Sequence, residues 1–337
     1  MRVLILGAAG FIGTHLTSAL IARGRLTSRA GDAEPIDELV LADVRTPAAP
    51  PNAPFPVRIE TGDCADAAFL EHLFAGGIDS VFPLAAALTT EAEANFDRGL
   101  EINVLAFLRL LEICRRRARA PRLVYASSIA AFGGPLPEVV DDAVARTPQT
   151  SYGTHKAIAE LLITDYARRG FVDGRALRLP IVLTRPGAPS PSVSDRVAAL
   201  VREPLAGRDV VCPFHPDTRM PVASVRRVAE ALVRVHELPA QALGATRALN
   251  LPALTATPRE MVDALHRVAG SRRLGRIDFV LDPQLQAIVE SWPKGFVSAL
   301  AAEHGIRADA TFDEVVRSYL QDYGAPPDGG GEAAAQR

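Results

Sequence analysis

The chain has 337 residues, 48% of them hydrophobic and 23% charged, enough to bury one large core or two closely packed ones. Its formal net charge of −2 gives no basic excess, so neither nucleic acid nor an anionic membrane surface is an expected partner. Cys64, Cys114 and Cys212 are scattered with no CxxC or Cys/His cluster, which argues against a disulfide framework and against a metal site.

No apolar run reaches the roughly eighteen residues of a membrane span, and Gly7 ends the first apolar stretch too early for a secretory leader. The expectation is a cytoplasmic protein with reduced thiols. In chain order, Arg2–Leu6 reads as a buried strand and Phe11–Arg23 as a helix. Strands follow at 39–43, 56–60, 81–85, 123–127 and 175–179, with helices over 91–117 and Ser151–Arg168. Apolar strands alternating with helices require crossovers, hence a doubly wound parallel sheet covered on both faces. Residues 25–37 read as a long surface loop, and 46–56 holds Pro47, Pro50, Pro51, Pro54 and Pro56, a connection without regular structure.

After residue 180 the pattern changes. Pro180, Pro186, Pro189 and Pro191 break the chain. Helices are expected at 192–202, 225–236 and 258–268, with short strands at 209–212 and 248–251. The expected organisation is a Rossmann-type domain over 1–180 and a smaller mixed substrate lobe over 181–325 that partly returns to the core. The Gly-, Ala- and Pro-rich residues 326–337 are expected to be a disordered tail.

The loop Gly7-Ala8-Ala9-Gly10-Phe11-Ile12-Gly13 joins the first strand to the first helix. Gly7 permits the tight turn, Gly10 lets backbone approach a pyrophosphate, and Gly13 lets the helix pack close to the sheet. The helix start offers free N–H groups and a positive partial charge to phosphates. Asp43 ends the second strand, where a carboxylate accepts from ribose hydroxyls and repels a 2′-phosphate, so NAD is favoured over NADP; Arg45 can soften that preference. Asp63, after the third strand, stands where an acceptor can meet the adenine amino group.

Tyr152 and Lys156 are spaced to share one helix face. An ammonium beside a phenol favours the phenolate and lowers its pKa toward working pH. Ser127 and Ser128 end the fifth strand, at the carboxyl edge where doubly wound folds bind ligands. A hydroxyl there can hydrogen-bond the substrate oxygen that gains or loses a proton.

These motifs together resemble the extended short-chain dehydrogenases/reductases, the group containing nucleotide-sugar epimerases and dehydratases. The resemblance spans the first 180 residues, in the glycine loop, Leu84-Ala85-Ala86, Ser128 before Phe132-Gly133, and Tyr152/Lys156. It implies Tyr152 as general acid/base, Lys156 as its partner and Ser128, rather than Ser127, as third member. It also implies cofactor contacts from Phe11, Ile12, Cys64, Leu84, Ala85, Ala86, Leu179 and Ile181. Asn103 matches a helix asparagine that supports the lysine or the cofactor. A homodimer formed through the helices after the fourth and fifth strands is implied as well. Leu105, Leu108, Ile158, Leu162 and Tyr166 are candidates to face a partner, whereas Leu100, Val104, Phe107 and Leu111 read as core.

A narrower resemblance, carried by residues 92–97, 132–137, 147–153, 170–175 and 217–220, is to sugar-acid dehydrogenases of this group. It implies NAD-linked oxidation of a four-carbon hydroxy acid to its 2-oxo acid. Arg185 and Arg219 are candidates to hold the substrate carboxylate, since a guanidinium fork matches it bidentately. Thr89 is read as a substrate contact and Thr90 as a helix cap with Glu93. His155 is read as solvent-facing or packing, and Trp292 as packing the late helices onto the core. Pro83 and Pro221 depart from the wider group's pattern and bear on the substrate. The alternative, a nucleotide-sugar epimerase or dehydratase, uses the same groups but retains the hydride. Arg219-Met220-Pro221-Val222-Ala223 replaces its usual Arg-Asp-aromatic-Ile-His segment. A cofactor-binding sensor without turnover is the third reading, against which both Tyr152 and Lys156 are present.

Overall fold

The computed structural model describes residues 1–187 and 192–324. Strand β1 (Arg2–Leu6) runs through the glycine loop into helix α1 (Phe11–Arg23), which ends at Gly24 in the left-handed region. Residues 25–37, expected as a surface loop, instead form a hairpin, β2 (Arg25–Thr27) and β3 (Ala33–Pro35). Leu26 and Ile36 are buried in the core, and burying them outweighs the polar composition around them.

Strands β4 (Glu38–Asp43) and β5 (Val57–Thr61) follow, then helix α2 (Ala67–Leu73), capped by Asp66, and β6 (Ser80–Pro83). The single helix expected over 91–117 is broken. Helix α3 (Thr89–Ala94) stops at Asn95, whose extended backbone and side chain start α4 (Phe96–Leu100). A π-helical turn over Glu101–Leu105 leads into α5 (Ala106–Arg115). Leu88, not a threonine, stands at the start of α3, and no side chain caps it; Thr90 does not act as expected.

Next come β7 (Arg122–Ser128), a short β8 (Val139–Val140), α6 (Ser151–Arg168) capped by Thr150, β9 (Asp173–Leu179) and β10 (Ile181–Leu183). The late elements are α7 (Val193–Leu205), β11 (Val210–Cys212), β12 (Met220–Ser224), α8 (Val225–Glu237), β13 (Ala248–Asn250), β14 (Leu254–Ala256), α9 (Pro258–Ala269) and β15 (Ile277–Phe279). Helix α10 (Pro283–Glu290), β16 (Gly295–Phe296), α11 (Ala299–Glu303) and α12 (Phe312–Tyr323) complete the described chain. Residues 326–337 lie outside the described residues.

The main sheet has seven strands in the order β13-β9-β7-β6-β1-β4-β5, all parallel. Strand alternation sorts its side chains. Val3, Ile5, Leu39, Leu41, Val124 and Ala126 pack with α1 and α8 on one face. Leu4, Leu6, Val40, Ala42, Leu123 and Tyr125 pack with α2, α5 and α6 on the other. The fold is α/β and doubly wound, and the chain reverses direction across the sheet between β1 and β6. Doubly wound sheets bind ligands outside the carboxyl ends of the strands at such a reversal.

A separate cluster joins β10, β12, α7, α9 and α12, including Leu183, Val201, Met220, Met261 and Val316, with Trp292 packed against it. Strand β13 leaves this region to become the seventh strand of the main sheet, and α8 packs on α1. Both are returns of the late chain to the core. Among the described residues, no helix is long and apolar enough to cross a membrane.

Candidate active site at the carboxyl edge of the sheet

Gly7 leaves β1 with φ +88, and a Cβ there would lie 2.6 Å from the Ala85 nitrogen. That contact brings the glycine loop against the end of β6; Leu84 and Ala85 both donate to the Leu6 carbonyl, at 2.8 and 3.0 Å. A Cβ on Gly13 would lie 2.2 Å from the Gly7 carbonyl oxygen, so α1 can pack here only as glycine. Gly10 precedes α1 and no side chain caps the helix, leaving the first-turn N–H groups around Phe11 and Ile12 to an anionic ligand. Asp43, at the end of β4, accepts from the Ala9 N–H at 3.0 Å and from the Arg45 N–H at 3.0 Å. The open helix start, the cradle that a Cβ would fill and this carboxylate at the ribose end fit a dinucleotide.

Asp63 accepts from the Ala65 N–H at 2.9 Å and pairs with the Arg98 guanidinium at 2.6 Å. Its pKa is lowered because these partners outweigh the desolvation that opposes them. The adjacent Cys64 thiol is pushed up to about 11 by burial and stays protonated. Asn103, buried in the π-helical turn, accepts from the Ala87 N–H and donates to the Ala87 carbonyl, both at 2.9 Å. The asparagine thereby fixes the backbone just beyond Ala85 and Ala86. Leu179 and Ile181 are buried on either side of Pro180, at the junction of β9 and β10.

The structure separates the two serines by strand alternation. Ser127 turns away and donates to Glu160 at 2.5 Å. Ser128 accepts from the Ala130 N–H at 3.1 Å and faces the Tyr152 phenol, where its hydrogen bond favours the phenolate. Tyr152 is carried to it by the start of α6, which packs on the turn Ile129–Ala131. Gly153 makes that approach possible: a Cβ there would lie 2.0 Å from the Ala130 carbonyl oxygen. Lys156 Nζ donates to the Ala126 carbonyl at 2.7 Å and lies 5.4 Å from the Tyr152 ring centroid and 4.4 Å from that of Tyr125.

The expected lowering of the tyrosine pKa is not found. Burial pushes the Tyr152 phenol up to about 12, and Ser128 only partly opposes it. The physical reason lies in the lysine. Burial lowers its pKa to about 7, and it hydrogen-bonds a backbone carbonyl and faces the rings.

Four residues around the candidate site were not assigned to it from the sequence. Of the two readings of His155, packing holds: it is buried, and its Nδ1 accepts from Asn103 Nδ2 at 3.2 Å. The Asn103 amide is oriented by its two bonds to Ala87, so this histidine is neutral with its proton on Nε2. Glu93 accepts from the Ser151 N–H at 2.7 Å, tying α3 to the start of α6. Gly153 and Glu160 are the others. Glu160 was detectable in principle, since it continues the four-residue spacing of Tyr152 and Lys156 along one helix face.

The substrate candidates have other partners in the fold. Thr89 is half-buried at the start of α3. Arg185 is exposed, and its carbonyl accepts from Arg202 at 2.8 Å. Arg219, beside β12, pairs with Glu138. Among the described residues no hydrogen bond or ion pair joins either arginine to Ser128, Tyr152 or Lys156. No group of His, Cys, Asp and Glu suited to a metal occurs among the described residues.

A doubly wound parallel sheet with an open glycine loop, an acidic second strand end and a Ser/Tyr/Lys cluster defines an NAD-binding enzyme of the extended short-chain class. Residues 3–250 match the NAD dependent epimerase/dehydratase family, and the chain belongs to it. It is an NAD-dependent dehydrogenase of that family. It is similar to the D-erythronate dehydrogenase of Cupriavidus necator, 43% identical over 96% of this chain and 99% of the relative. The D-erythronate dehydrogenase of Haemophilus influenzae is 38% identical over 95% of this chain and 99% of its own. Among solved structures, the nucleoside-diphosphate-sugar epimerase from Agrobacterium tumefaciens superposes with a TM-score of 0.89 at 36% identity, covering 96% of this chain and 94% of that one.

Proposed function

We propose that the enzyme oxidises a D-erythronate-like 2-hydroxy acid to the 2-oxo acid. The observation that carries this reading is the near full-length similarity to two D-erythronate dehydrogenases. In the proposed reaction Tyr152 takes the proton from the substrate hydroxyl, while Ser128 hydrogen-bonds the same oxygen. Lys156 in its protonated form favours the phenolate, although burial draws its pKa down to about 7, and it would donate to the nicotinamide ribose. NAD, when bound, accepts the hydride from the carbinol carbon. Arg219 or Arg185 neutralises the substrate carboxylate, with Thr89 at the mouth of the site.

The residues that would hold the cofactor are those of the glycine loop with Asp43, Asp63, Cys64, the 84–86 segment, Asn103, Leu179 and Ile181. Residues 1–180 would form the cofactor domain and 181–325 the substrate lobe. A cytoplasmic homodimer formed through α5 and α6 completes the reading. Leu105, in the π-helical turn that leads into α5, is exposed and supports it, whereas Leu162 and Tyr166 pack against the core. A monomeric mass by light scattering at micromolar concentration would defeat the dimer.

The likeness to a nucleoside-diphosphate-sugar epimerase favours a second reading, in which the same groups act on a nucleotide sugar and the hydride returns to it. An NAD⁺ reduction assay across aldonic acids and nucleotide sugars separates the two. The acid reading requires NADH to accumulate with a four-carbon hydroxy acid. Conversion of a nucleotide sugar without net NADH establishes the epimerase instead, and cofactor binding without any turnover leaves a sensor.

A further inference from the structure

We infer that Glu160 is a positioning residue for the dehydrogenase reaction: its single carboxylate ties the ends of β7 and β9 to the segment leading into α6, and so sets Ser128 and Lys156 against Tyr152. The inference rests on the proposed role of Tyr152.

Glu160 is fully buried, and both oxygens are saturated. Oε1 accepts from Ser127 Oγ at 2.5 Å and from Arg178 Nε at 3.0 Å. Oε2 accepts from Arg178 Nη2 at 2.9 Å and from Arg146 Nη1 at 2.6 Å. A buried ion pair rarely stabilises a fold more than apolar packing of the same volume would. What this one holds is therefore more telling than that it exists. Ser127 precedes Ser128, and Arg178 precedes Leu179. Arg146 lies just ahead of Thr150, the cap of the helix carrying Tyr152 and Lys156.

The mechanical consequence follows from strand alternation. Anchoring Ser127 on the Glu160 side of β7 turns Ser128 to the opposite side, toward the phenol. It also fixes the preceding peptide, whose Ala126 carbonyl receives the Lys156 ammonium at 2.7 Å. The tether continues outward. Arg178 Nη1 donates to the buried Asn250 Oδ1 at 3.2 Å, and Asn250 donates its backbone N–H to Asp142 at 2.6 Å. Asp142 in turn accepts from Ser298 Oγ at 2.6 Å. The late chain is thus linked to the serine and lysine by polar contacts.

Charge adds a second handle. Lys156 is faced by Tyr152, His155 and Glu160 from its own helix and by the Tyr125 ring and the Ala126 carbonyl from β7, and Glu160 favours its protonated form. Removing that anion leaves Arg178 and Arg146 uncompensated nearby, which further favours the neutral amine.

The test is Glu160→Gln, which keeps the shape and removes the charge. Turnover should fall roughly 10- to 100-fold, the scale of a small misplacement of reacting groups. KM for NAD should stay within about twofold, the range of a site left intact. The alkaline limb of the pH–rate profile should move to lower pH, which a merely structural role would not produce. A profile and turnover matching the parent enzyme overturn the inference. Should Glu160→Gln fail to fold, Ser127→Ala decides. It keeps every buried charge and should still lower turnover several-fold with NAD affinity unchanged, whereas normal turnover overturns the role. Tyr152→Phe run alongside keeps the two claims apart. If it retains turnover, the proposed base is wrong; if it is inactive while Glu160→Gln is normal, only the positioning role falls.

Discussion

The carboxylate of Asp43 and the backbone N–H of Ala9 lie 3.0 Å apart in a hydrogen bond that joins the end of β4 to the glycine loop. Arg45 closes the same corner from the other side, donating from Nη2 to the Ala9 carbonyl at 3.0 Å. A 2′-phosphate entering here would meet the carboxylate at close range, and Arg45 is already engaged with backbone. NAD should therefore be used in preference to NADP. Asp43→Asn should lower kcat/KM for NAD by roughly 10- to 150-fold, the effect of losing about 1.5–3 kcal/mol of charge-assisted hydrogen bonding, and should narrow the gap to NADP. Steady-state kinetics with both cofactors checks this, and a parent enzyme preferring NADP would contradict it.

Tyr152→Phe keeps the ring and removes the titrating hydroxyl. Turnover should drop roughly 10²-fold or more, the usual contribution of general acid/base catalysis, while NAD binding survives. Burial holds the phenol high, so turnover in the oxidative direction should rise with pH as phenolate forms. Ser128 favours the phenolate, so Ser128→Ala should shift the rising limb to higher pH. A pH–rate profile of the two variants beside the parent measures both effects.

Gly153→Ala adds one methyl group where 2.0 Å separates the built Cβ from the Ala130 carbonyl oxygen. The start of α6 must then move off the turn after Ser128, carrying Tyr152 with it. Turnover should fall by roughly 10²-fold, as for a misplacement of about 1 Å, while NAD affinity changes little because the glycine loop is untouched. Isothermal titration with NAD beside turnover assays tests the split.

Arg219→Ala should raise KM for a hydroxy-acid substrate roughly 10- to 150-fold through loss of a charge-assisted pair, with KM for NAD little changed. Its partner Glu138 must first give it up, so Glu138→Gln should lower KM for the acid. If Arg219→Ala leaves the acid kinetics unchanged and Arg185→Ala abolishes them, the carboxylate belongs to Arg185. The neutral lactone serves as the control substrate.

Stability should fall in mild acid because of His236. This ring is fully buried, hydrogen-bonded to Ser80 at 2.8 Å and stacked on Phe82. Desolvation, reinforced by Arg122 and Arg175, drives its pKa well below the free value of 6.5. The unfolded chain then takes up a proton that the folded one refuses. Stability is accordingly complete above the free value and declines as pH falls below it, by up to about 1.4 kcal/mol per pH unit for one such group. His155 and His15 contribute with the same sign. Tm measured from pH 8 to pH 5 should decrease, and His236→Gln should flatten that slope.

The sequence alone determined the parts whose chemistry is local. A strand-turn-helix with glycines at these offsets has the local geometry of a backbone cradle. Alternating apolar runs and helical stretches can only bury themselves as a parallel sheet covered on both faces, and a Tyr and Lys one helical turn apart must share a face. What the tertiary structure decided depends on which side of an element meets which neighbour. The anchoring of Ser127 on Glu160 follows from the pleat of β7, and the burial of His155 from a π-helical turn that aims Asn103 at it. The hairpin over 25–37 forms because Leu26 and Ile36 find the core. The Ala126 carbonyl holds the lysine ammonium, 5.4 Å from the centroid of the Tyr152 ring. Each of these is set by contacts between residues distant in the chain, where solvation and packing, rather than local propensity, carry the free energy.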